Sequence, residues 1–151
     1  MALSAGVSWT TKGGVSCIQF PLQVKSAAVI YNGALVSFET LNNACIPFDG
    51  GSTDVLAGWH FGDTVTGDGT KLKAARIHTG PFIGERVTVG GSPANDATDL
   101  GRIVYASDDG TYTISSSGAA VGRITAYYGS GVFDVAFKNV LGRYGTTTGG
   151  A

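Results

Sequence analysis

The segment GRIVYASDDGTYTISS (residues 101–116) decides the fold class. Two short runs, at about 102–106 and 111–115, are rich in β-branched and aromatic residues. They flank Asp109-Gly110, a dipeptide suited to a tight hairpin turn. Directly downstream, VGRITAYYGSGVFDVAFK (121–138) holds two further strands around Gly129-Ser130-Gly131. In the second, Phe133, Val135 and Phe137 face one way while Asp134, Ala136 and Lys138 face the other, the alternation of a half-buried strand.

The same grammar extends towards the N-terminus. GGSPANDAT (90–98) reads as a polar loop, with one helical turn near Ala94 to Gly101 that Asp96 or Asp99 could cap. LKAARIHTGPF (72–82) alternates weakly, setting Leu72, Ala74, Arg76 and His78 against Lys73, Ala75, Ile77 and Thr79. In AAVIYNGALVSFET (27–40), Asn32-Gly33 is the strongest hairpin signal of the chain, with strands Ala28 to Tyr31 and Ala34 to Phe38 on either side. FDGGSTD (48–54) and TGDGT (66–70) are turns around the apolar VLAGWHFGDTV, and Pro21 marks an edge or a strand end. Glycine, 24 of 151 residues, lies between apolar runs with no collagen period, which suits tight turns and argues against long helices. The expected fold is all-β: a small β-barrel or sandwich of antiparallel hairpins over residues 15–138. An extended N-terminal arm (1–14), with Trp9 as its large anchor, and a small-residue C-terminal tail (139–151) flank it.

Charge and cysteine usage narrow the function. Net charge is −1, and Lys and Arg are scattered, so the counterion release that drives nucleic-acid binding has no patch to act from. No apolar run reaches the ~20 residues of a membrane span. The first 14 residues lack a basic and an apolar leader region, so no secretory signal is expected. Cys17 and Cys45 both sit in apolar settings. Free core thiols are expected, with a Cys17–Cys45 disulfide as the alternative. Charged residues are only 14% of the chain, against about 25% in ordinary soluble domains; a partner covering part of the surface would account for this, as would a rigid, turn-dense domain.

Chemistry is hard to find. The GSG at 129–131 lacks the following helix of a nucleophile elbow. His60, between Trp59 and Phe61, reads as packed or hydrogen-bonded, and His78 as a surface residue; with two Cys and two His at no metal-ligand spacing, no metal site is expected. Asp63, Asp68, Asp96, Asp99, Asp108 and Asp109 fall where turns need Asp. No phosphate-cradling loop is present, and neither a cofactor nor an enzyme activity is expected.

One pattern goes further. DLGRIVYASDDGTYTIS (99–115) followed by AAVGRITAYYGSGVFDVAF (119–137) resembles the C-terminal half of the small decoration, or cement, proteins of tailed-phage heads. The matching elements are Asp99, Gly101, Val104 and Tyr105; Asp108, Asp109 and Thr111; Gly122, Arg123 and Ile124; and Gly131, Val132 and Phe133. NGALVSFETLNNACIPF (32–48) resembles the opening hairpin of the same group, so the likeness spans about 30–137 and leaves both ends unassigned. The resemblance implies a barrel-like body that binds the major capsid protein on the outer surface of the virion, commonly as a homotrimer, after synthesis in the host cytoplasm. The grip is then expected from the two ends, through Trp9, Thr10, Lys12, Arg143 and Tyr144. The alternatives are another phage structural module, such as a head-fibre base or tail component, and a carbohydrate-binding module using Trp59, Tyr127 and Tyr128. Consecutive strand residues point to opposite faces, which makes Tyr127-Tyr128 a poor sugar platform.

Overall fold

The computed structural model describes residues 2–6, 11–12, 19–39, 43–51 and 54–141. Among them the protein is all-β, with a single 3-10 turn, Ala97–Asp99, capped by Asp96, whose carboxylate accepts the Thr98 N–H. The hairpin read from residues 101–116 is present as β10 (Ile103–Ala106) and β11 (Tyr112–Thr113). β12 (Ala119–Gly129) and β13 (Val132–Phe137) form the next one. β9 (Phe82–Gly90) completes a ring: it pairs with β13 on one side and β11 on the other, so β9-β11-β10-β12-β13 closes into a barrel. Five strands cannot alternate in direction around a closed ring, so one pair has to be parallel. Here it is β11 with β9, Tyr112 opposite Val89. An expectation of antiparallel hairpins alone misses that seam, because parity belongs to the whole ring and not to any local segment.

A second sheet runs β2-β8-β6-β4-β5, made of Gln19–Gln23, Ala74–His78, Leu56–His60, Leu35–Glu39 and Ala44–Pro47. It follows the same rule: its two edges meet in a parallel bridge between Val24 and Cys45, with the Lys25 N–H donating to the Cys45 carbonyl at 3.0 Å. Pro21 lies in the edge strand β2, where its missing N–H leaves no central ladder bond unmade. The strong Asn32-Gly33 signal gives a turn, closed by Ala34 N–H to the Tyr31 carbonyl, but not a hairpin. The strands leaving it part: β3 (Val29–Ile30) pairs with β7 (Val65–Thr66), and β4 joins β5 and β6.

Each sheet wraps its own core, and β4 and β6 serve both. In β4 alternation sends Val36 into the second core and Leu35 into the barrel. In β6 an extra residue, Ala57, between the pairs Val36–Gly58 and Ser37–Leu56 breaks the alternation, so that Ala57 joins the second core and Trp59, two positions on, the barrel. Trp59 meets Phe82 edge-on with ring centroids 4.9 Å apart and Phe137 at 5.0 Å, and its indole N–H donates to the Tyr112 hydroxyl at 3.0 Å. Gly58, beside it, has φ +146°, and a Cβ there would lie 2.3 Å from the His78 carbonyl oxygen of β8. Only glycine lets the two strands approach this closely.

Cys45 is buried, unpaired, and 3.7 Å from the Leu22 carbonyl through Sγ; Cys17 lies outside the described residues. Burial pushes the Cys45 thiol up to about 12. The thiolate is the reactive form, so Cys45 should resist iodoacetamide at pH 8 in the folded protein and react on unfolding. Peptide mapping after a brief pulse checks this, and rapid native-state alkylation of Cys45 would contradict the packing described.

Candidate functional site

Of the residues expected to grip a capsid, Trp9, Thr10, Arg143 and Tyr144 lie outside the described residues. Lys12 lies in β1 (Thr11–Lys12), whose backbone pairs with β9, Lys12 opposite Ile83. The described parts of the N-terminal segment are both held against the body. The Leu3 N–H donates to the Asp109 carboxylate at 2.9 Å, Leu3 packs on the second core, and a Cβ on Gly110 would lie 2.4 Å from the Leu3 side chain. Asp109 is therefore more than a turn residue. Asp108 closes the turn, accepting N–H bonds from Gly110 and Thr111, while the buried Asp109 seats the N-terminal segment.

The most unusual construction is on the outer face of the barrel, around Asp134. Between Gly84–Val135 and Val87–Phe133, β9 carries two residues, Glu85 and Arg86, opposite the single residue Asp134. On the other flank β12 does the same: Thr125 and Ala126 oppose Asp134, and Tyr128 is a second extra residue before Gly129. One side chain pins these bulges. Asp134 Oδ1 accepts the Arg86 backbone N–H at 3.0 Å, Oδ2 accepts the Tyr128 hydroxyl at 2.9 Å, and the Asp134 carbonyl accepts the Thr125 hydroxyl at 3.3 Å. Asp134 points outward by strand alternation, yet is only 6% exposed. The Arg86 guanidinium lies over the Tyr128 ring, 4.2 Å from its centroid.

The bulge also revises the reading of the tyrosine pair. Strict alternation would bury one of the two, but the extra residue leaves Tyr127 42% and Tyr128 46% exposed. Further along the same strands, the pairings Ile103–Arg123, Arg123–Ala136 and Ala136–Ile83 set these residues in one row across the barrel wall. The row alternates with the inward row Val104, Gly122, Phe137 and Phe82. Ile103 is 37% exposed, and Leu100, at the head of β10, is 45% exposed. Apolar and aromatic groups thus stand in water on this wall beside two exposed cations, Arg86 stacked on Tyr128 and Arg123, whose guanidinium donates to the Gly101 carbonyl at 2.8 Å.

No family model matches the chain, and neither a curated protein nor a solved structure does. The assignment of a role therefore rests on the residues themselves.

Both histidines are packed into the fold. His60 is buried with both ring nitrogens engaged: Nδ1 accepts the Arg76 N–H at 3.0 Å and Nε2 faces the Asp63 carbonyl at 2.7 Å. His78 is half-buried rather than a plain surface residue. Its ring meets Phe61 edge-on, and its Nε2 is buried without a hydrogen-bond partner among the described residues. Burial, helped by Arg76 and His60, lowers its pKa. The unfolded chain therefore binds the proton more readily, so stability is complete above the unfolded value near 6.5 and falls as pH drops below it. A His78→Gln variant should flatten that part of the Tm–pH profile; an unchanged profile would clear His78 of the role. No group of three His, Cys, Asp or Glu among the described residues is placed to hold a metal. Among the described residues, the groove lined by Phe20, Pro21 and Arg76 is open to solvent.

Proposed function

We propose that the chain is a structural virion protein that binds the outside of a tailed-phage capsid and stabilises it, as decoration proteins do. The observation that carries this reading is the coincidence of two features on one piece of chain. Residues 99–137, which carry the resemblance to decoration proteins, supply four of the barrel's five strands and most of the wall on which Leu100, Ile103, Tyr127 and Tyr128 stand exposed. The motif residues explain the frame. Asp99 is buried and accepts the Asn95 N–H, Asn95 Oδ1 accepts the Gly131 N–H at the tip of the β12–β13 hairpin, and Val104, Ile124 and Phe133 fill the core. A rigid frame with an amphipathic wall is what a binding module needs.

The partner in this reading is the major capsid protein, met on the virion surface by a homotrimer. Such a protein acts by mass action: a ligand that binds only the assembled shell stabilises that shell, and many copies add avidity. A sugar-binding role draws less support, because Arg86 occupies a face of Tyr128 that a sugar ring would need. Co-sedimentation tests the proposal. The purified protein should pellet with empty heads from the source phage lacking this gene, and not with isolated tails or glycan beads. Protein left in the supernatant with such heads would overturn it, and pelleting with tails would favour the tail or head-fibre alternative.

A further inference from the structure

We infer that Arg86, stacked on Tyr128 and locked by Asp134, is the anchor that receives an Asp or Glu carboxylate of the capsid subunit; this rests on the capsid-binding reading above. The bulge position points to it first. The extra residue of β9 has φ +56°, in the left-handed region where glycine is the ordinary occupant of such bulges. An arginine there is strained, and strain of this kind collects where a side chain has work other than folding. The second pointer is the use of that side chain. Arg86 is exposed, and among the described residues its guanidinium meets no carboxylate; its contact is the Tyr128 ring. The third is preorganisation. A single carboxylate, Asp134, fixes the Arg86 backbone through one oxygen and the Tyr128 hydroxyl through the other. The cation and the ring beneath it are thus set before any partner arrives, which lowers the ordering cost of binding.

The chemistry of the pair selects the occupant. A planar guanidinium with its fork open to solvent matches a carboxylate in two parallel hydrogen bonds. Arg and Tyr are also the residue types that dominate the energetics of protein interfaces. With a net charge of −1 and its cations set singly, at Arg86 and Arg123, the wall does not provide the run of charges that a nucleic-acid backbone demands.

Arg86→Gly separates this role from a structural one, because glycine relieves the left-handed strain. The variant should keep its Tm, or raise it, and keep the wild-type oligomeric state, while its affinity for empty heads falls about tenfold or more. Arg86→Lys, which keeps the charge and loses the fork, should also bind more weakly, and Lys71→Ala on the far β7–β8 turn should bind as wild type. Raising salt should weaken the wild type more than Arg86→Gly. Wild-type binding by Arg86→Gly would overturn the inference, as would parallel loss of Tm and binding, or dissociation of the oligomer, which would assign Arg86 to contacts between copies of the chain. Failure of the wild-type protein itself to bind heads would sink the capsid reading, and the inference with it.

Discussion

Trp59→Ala leaves a chain that does not hold its fold at growth temperature. The indole is fully buried between Phe82 and Phe137, where β6 of one sheet faces the inside of the barrel. Truncating a buried Trp to Ala costs about 3–5 kcal/mol through lost transfer energy and the cavity left behind. It also takes the indole N–H away from the Tyr112 hydroxyl, which is buried and kept un-ionised by its surroundings. The total stability of a domain is about 5–15 kcal/mol, so the loss consumes much or all of it. Because Trp59 belongs to the barrel core through a strand of the other sheet, both sheets should melt together. Circular dichroism with a urea titration checks this. A midpoint within a few tenths molar of the wild type would mean that Trp59 does not join the two cores.

The second large effect is at Asp134. Asp134→Ala removes both acceptors at once, leaving the Arg86 N–H unpaired at the bulge and releasing the Tyr128 hydroxyl. An orphaned donor costs about 1–3 kcal/mol when fully buried; both bonds here are part-buried, so the expected loss is about 1–2 kcal/mol. Asp134→Asn should cost less, since its amide oxygen can still accept one bond. The coupling is the sharper test. In an Arg86→Gly background the bulge no longer needs to be pinned against strain, so Asp134→Ala should cost less there than in the wild type. Strict additivity would show that Asp134 and Arg86 are not one unit.

The distance between sequence and structure at these residues has a physical cause. Local signals read well. Asp109-Gly110 and Gly129-Ser130-Gly131 close hairpins, Asp96 caps a turn, and Phe133, Val135 and Phe137 point inward. These depend on residues a few positions apart. The Asn32-Gly33 turn also forms, but whether its flanking strands pair depends on distant partners, and β7 and β6 outcompete the hairpin. The parallel seams at Tyr112–Val89 and Val24–Cys45 follow from ring closure, which no window of sequence contains. The bulges were hidden for the same reason. Asp134 reads as one polar residue in an alternating strand until β9 and β12 are both laid beside it, each with one residue too many. Of the candidate site, Tyr127 and Tyr128 were visible as aromatics, but their joint exposure needed the bulge. Asp109 looked like turn chemistry because the segment it seats begins 106 positions away.

The barrel supplies a wall, the bulges raise an Arg–Tyr pair on it, and a capsid is the surface that we propose it addresses. The measurement that tests this most directly is a reconstruction, by electron cryomicroscopy, of empty heads incubated with the protein. Ordered density is expected on the outside of the shell, with the β9–β12–β13 wall turned towards it and Arg86 against a capsid carboxylate. Heads that remain bare at saturating protein would contradict it.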